Sequence, residues 1–126
     1  MEQLQIAARW KIHEGKIDEF KKLATECHSH VVKKIPNRLQ FSWFINDEQS
    51  ECIVMELYPD SNAFLMHLSV VSEYLGKMMT IADLSAEIFG NPSPELLKAT
   101  EGVKKTIYYF YQGLEAPVNK TTVSLS

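Results

Sequence analysis

The sequence predicts an α+β domain in which helices cover one face of an antiparallel sheet. Two observations carry this reading. Several segments alternate apolar and polar residues with period 2, and two longer ones repeat their apolar residues at helical spacing. Their order along the chain is β-α-β-β-α-β, followed by a short helix and a last strand. With 126 residues, 45% hydrophobic and 23% charged, the chain is long enough to bury one core without staples.

Each element follows from its residues. "LQIAARWKI" puts Leu4, Ile6, Ala8, Trp10 and Ile12 on one face and Gln5, Ala7, Arg9 and Lys11 on the other, which predicts a strand. Ile17, Phe20, Leu23, Ala24, Cys27 and Val31 then recur at helical spacing to about Lys34, and Pro36 stops that helix. "RLQFSWFIN" and "ECIVMELY" are two further strands, and the short polar connector "NDEQS" makes them an antiparallel hairpin. In "YPDS", Asp60 or Ser61 caps a second helix, "SNAFLMHLSVVSEYLGKMM", which Gly76 bends or ends. "DLSAEIFG" is a fourth strand. "NPSPELLKATEG" reads as a short helix with Ser93 as cap, Pro94 in its first turn and Gly102 at its end. "KTIYYFYQG" is a fifth strand. The expected division is a domain over residues 1–114 and a polar tail over 115–126.

The first six elements have the split βαβ order of ferredoxin-like sheets, with both helices on one face. Apolar residues nevertheless point to both faces: Phe41 and Trp43 oppose Phe44, Ile53, Met55 and Leu57 oppose Val54 and Tyr58, and Tyr109 and Tyr111 oppose Tyr108 and Phe110. A second copy of the sheet is the economical cover, so a homodimer is expected.

Charge and composition exclude several classes. A net charge of −3 offers no field for a polyanion, and lysine pairs such as Lys33-Lys34 are solvated faces, so nucleic-acid binding is not expected. No apolar run is long enough to span a bilayer, and "MEQLQIAARW" lacks the basic and apolar regions of a signal peptide. Cys27 and Cys52 lack CxxC spacing and read as buried free thiols of a cytoplasmic protein. No dinucleotide fingerprint, P-loop or nucleophile elbow is present, so no nucleotide cofactor is expected.

The candidate site rests on His67. On a helical wheel it falls inside the apolar arc centred on Phe64, Leu68, Val71, Leu75 and Met78. The ordinary reading is a core-edge histidine bonded to a carbonyl or carboxylate. The functional reading is a base facing a cavity between helix and sheet, able to take a proton from a phenol, enol or hydroquinone. Glu56 interrupts an apolar strand on the face of Val54 and Tyr58; it is either a structural pair or the partner that orients His67. Phe64 and Val71 on the same stripe, Trp43 on the sheet and Tyr74, as a hydroxyl donor, would line the substrate side of that cavity. His28 and His30 lie about 200° apart on their helix and cannot chelate one ion, so no metal is expected.

The run "ECIVMELYPDSNAFLMHL", with Glu56 and Tyr58 ending the third strand, then "PDS", Ala63 and the pair His67-Leu68, resembles the antibiotic-biosynthesis-monooxygenase-like proteins of the dimeric α+β barrel superfamily. Downstream, "EIFGNPSPELL" is similar to the Gly-x-Pro-Ser ending of longer members, and the similarity spans about residues 3 to 113. The resemblance implies a dimeric enzyme that oxygenates phenolic, anthrone or quinol substrates without metal, flavin or other prosthetic group, with His67 as base. Two departures stand out. Ile35-Pro36-Asn37 replaces the family's Glu-Pro-Gly. His67 falls where haem-degrading relatives carry a Trp, and Lys77 near their haem-ligating His, which argues against haem degradation. The competing expectation is a non-catalytic ligand-binding or stress-response barrel holding a small apolar or aromatic molecule in the same cavity.

Overall fold

The computed structural model describes residues 3–35 and 39–113. The stop at Pro36, the changed loop at Ile35-Pro36-Asn37 and the tail over 115–126 therefore lie wholly or partly outside the described residues. Five strands and three helices follow one another as β1 (Leu4–Ile12), α1 (Ile17–Lys34), β2 (Gln40–Asn46), β3 (Glu51–Tyr58), α2 (Ser61–Met78), β4 (Ala82–Phe89), α3 (Pro94–Ala99) and β5 (Lys104–Tyr108). The sheet order is β2-β3-β1-β4-β5. Its first four strands pair antiparallel, with β1 at the centre because its apolar face is the longest and most regular.

One expectation about the sheet is corrected. It is mixed, not antiparallel: β5 runs parallel to β4, with Ala86 opposite Lys105 and Ile88 opposite Ile107. The cause is α3, which carries the chain back along the sheet so that β5 re-enters in the direction of β4. The fifth strand is also shorter than its aromatic alternation implies. It ends at Tyr108, where β4 has run out of partners: Tyr108 pairs with Phe89, the last residue of β4, and the Tyr108 carbonyl accepts from Gly90. Tyr109, Phe110 and Tyr111 follow as exposed residues outside the sheet.

Gly90 has φ +131, and a Cβ there would sit 2.8 Å from the Gln3 carbonyl oxygen and 3.2 Å from Leu4 Cδ2. Backbone cannot give way cheaply, so Gly90→Ala should lower stability by about 1–3 kcal/mol in urea unfolding.

Caps match their sequence signals. Asp60 Oδ1 accepts the Ala63 N–H at 2.8 Å and Ser93 Oγ accepts the Leu96 N–H at 3.1 Å. The short third helix stops at Ala99, with Thr100 as its C-cap, before Gly102 is reached. On the helix side of the sheet, Trp10 packs edge-on against Phe20 (5.7 Å between centroids) within a core that includes Ile12, Val54 and Met78. The other face carries Phe44, Met55 and Tyr108 exposed, around Arg9 held between Glu51 and Glu87 at 3.8 Å each. Among the described residues no helix is long and apolar enough to cross a membrane.

Candidate functional site

The alternation of β3 sends Val54, Glu56 and Tyr58 to the helix side, where all three are buried. Tyr58 Oη donates to Glu56 Oε1 at 2.5 Å. The cap at Asp60 starts α2 directly after the strand, so that His67, less than two turns in, lies back over β3. Its Nε2 is 3.8 Å from the same Glu56 oxygen. Exposures of 4% for His67 and 8% for Glu56 put the pair in the interior. The rings of Phe41, Tyr58 and Phe64 surround the imidazole, with centroids at 4.9, 5.4 and 6.3 Å.

Burial pushes the Glu56 carboxyl up from its ordinary 4.5 to about 7, and the bond from Tyr58 opposes part of that rise. A carboxyl with such a value exchanges its proton at neutral pH. At 3.8 Å the imidazole and carboxylate do not bond directly, yet one oxygen atom can sit within hydrogen-bond reach of both.

Both groups line an apolar cavity of about 90 Å³ between α2 and the sheet. An engineered cavity of about 150 Å³ takes up benzene, so even a single ring needs some side-chain movement here, and a three-ring guest far more. Phe64, Val71 and Trp43 line this space. Tyr74 does not. Although it shares the stripe of His67, it lies about 10 Å further along the helix axis and packs on His30 of α1, centroids 5.5 Å apart.

The β2 end of the cavity is closed by Phe41 and Trp43. Trp43 Nε1 donates to His28 Nδ1 at 3.1 Å, and the His28 ring stacks on Phe41 at 5.5 Å. His28 thus braces the wall, a role its position on the helix flank gave no means of reading, because the partner comes from another element. At the opposite end the lining passes to Thr100, Val103 and Lys105, residues that sequence reasoning missed altogether.

Cys27 and Cys52 are free and buried. Burial pushes their thiols up to about 12 and about 11, so neither is a thiolate nucleophile near neutrality. Among the described residues no group of three or more His, Cys, Asp or Glu side chains could hold a metal ion.

A family model for antibiotic biosynthesis monooxygenases matches residues 4–70, just over half of the chain. The chain belongs to the antibiotic biosynthesis monooxygenase family. The match takes in Glu56, Tyr58 and His67 and ends before Val71, α3 and β5. No curated protein matches this family member. Among solved structures it is similar to MupZ from Pseudomonas fluorescens, with a TM-score of 0.78 at 18% identity over 93% of this chain and 97% of that one. A conserved protein from Methanosarcina mazei superposes with a TM-score of 0.62 at 15% identity, over 70% and 91%. SnoaB from Streptomyces nogalater, a cofactor-independent oxygenase, gives 0.60 at 11% identity, over 74% and 96%. At these identities the family's monooxygenase fold is what is shared.

Proposed function

We propose that the chain is a cofactor-independent monooxygenase acting on a small aromatic or quinol-type substrate, with His67 as general base and Glu56 as its electrostatic and orienting partner. The observation that carries this reading is the buried pair itself: a carboxyl and an imidazole 3.8 Å apart lining a largely apolar cavity. Tyr58 donates to the Glu56 oxygen that faces His67, which fixes the orientation of that carboxyl beside the imidazole. In the reaction, His67 takes the proton of a hydroxyl placed between it and Glu56, and the electron-rich anion passes an electron to O₂. The substrate supplies all four electrons: a hydroquinone and O₂ give a hydroxyquinone and water. Apolar walls exclude water from the reactive intermediate. The SnoaB likeness supports a chemistry that needs no prosthetic group. Labelling with ¹⁸O₂ tests the reading, since one labelled oxygen should enter the product and the other the water. Binding of hydroquinones without turnover would instead favour the ligand-binding barrel.

The same proposal includes a homodimer, supported by the exposed apolar groups on the face that no helix covers. Met55→Glu would put a charge on that face, and sedimentation should then shift from dimer to monomer. An unchanged sedimentation coefficient would remove this face as the interface. A cytoplasmic location completes the proposal, supported by the free thiols of Cys27 and Cys52.

A further inference from the structure

The cavity beside Glu56 and His67 holds about 90 Å³, less than the roughly 150 Å³ that takes up benzene. A larger space adjoins it. Between α1 and the edge strand β2 runs a groove of about 580 Å³, within the range of about 300–1,000 Å³ that small-molecule sites occupy. Phe41 and Trp43 line both spaces, so two side chains of one strand form the wall between them. Next to the reacting pair that wall is one ring thick. Phe41 meets His67 on the cavity side, centroids 4.9 Å apart, and His28, which lines the groove, at 5.5 Å on the other. Trp43 Nε1 can only donate, so its 3.1 Å bond to His28 Nδ1 fastens the wall to α1. β2 pairs with β3 alone, and its side chains can shift without disturbing a second ladder.

Resting on the oxygenase reading above, we infer that the α1–β2 groove is the entrance site for the aromatic substrate, and that Phe41 and Trp43, latched by His28, are the gate between it and the Glu56–His67 cavity. The groove suits a hydroxylated ring: it offers the faces of Phe41 and Trp43 to the ring and the hydroxyls of Thr25, Ser29 and Ser42 to its oxygens. Displacement of the two wall side chains joins groove and cavity into one space and supplies the volume that the closed cavity lacks. A bond that merely held α1 to the sheet would, when lost, loosen the whole core; a latch, when lost, frees the wall alone.

The two native thiols separate these roles, since Cys27 lines the cavity behind the wall and Cys52 lines the groove in front of it, both buried. Methyl methanethiosulfonate, a small neutral thiol reagent, is added to the full chain, and modification of each cysteine is followed by peptide mass spectrometry. His28→Phe keeps a ring against Phe41 and removes the acceptor. It should speed labelling of Cys27 by about three- to tenfold, the effect of losing one part-buried hydrogen bond, and leave Cys52 unchanged. His28→Asn, which retains an acceptor, should stay nearer to wild type. A Cys27 rate that does not rise in His28→Phe, or a rise shared equally by Cys52, would overturn the gate. Thr25→Trp, at an exposed position in the groove, should slow Cys27 labelling and raise KM for a hydroquinone; unchanged labelling would overturn the groove as the entrance. These labelling rates need no turnover, so a lack of oxygen uptake sinks the oxygenase reading alone while the thiols still decide the route into the cavity.

Discussion

Glu56→Gln is expected to make the protein more stable and less active at once. The native carboxyl titrates near 7 against an ordinary 4.5, because burial penalises its charged form. Between those values the native state holds a proton that the unfolded chain has released, so stability falls as pH rises through this window. Below about 4.5 both states are protonated, and above about 7 neither is, so the loss is complete and constant. Its size is at most about 3 kcal/mol at pH 8. Glutamine keeps the acceptor for Tyr58 and carries no charge to desolvate. Denaturant unfolding of both proteins from pH 4 to 8 should show the variant gaining on the wild type as pH rises. Parallel curves would mean that Glu56 is not held in the environment described. Activity should move the other way, with the rising limb near pH 7 lost from the variant's rate profile.

The second large effect is on the base. His67→Ala should lower kcat by about 10²- to 10⁴-fold, the range that positioned general bases contribute. Phe41, Tyr58 and Phe64 surround the vacated space, so the variant also loses some packing. His67→Gln, closer in size and still polar, controls for that loss: a catalytic role predicts that it too is inactive while its unfolding midpoint stays nearer to wild type.

Much of this site was legible in the sequence because local rules agree there. Strict alternation in "ECIVMELY" put Glu56 and Tyr58 on one face, Asp60 fixed where α2 begins, and helical spacing turned His67 inward. What one strand and the following helix dictate, periodicity can read. Sequence and structure part where pairing across the fold decides. Aromatic alternation through "YYFY" looks like strand, yet β4 ends at Phe89 and leaves Tyr109 with no neighbour to pair. Strand direction at β5 depends on the crossover through α3, not on the residues of β5. Helical angle puts Tyr74 on the stripe of His67, but distance along the helix axis carries it to His30 instead. His28 meets its partner Trp43 on another element, and nothing in its own neighbourhood marks that contact.

The central claim is that a buried Glu56–His67 pair drives oxygenation without a prosthetic group. Oxygen consumption by metal-free protein, with small hydroquinones as substrates and His67→Ala measured beside the wild type, tests it most directly. The wild type should consume one O₂ per substrate, and the variant should run at the buffer background. Uptake that continues unchanged in His67→Ala, or appears only when a metal or flavin is added, would contradict it.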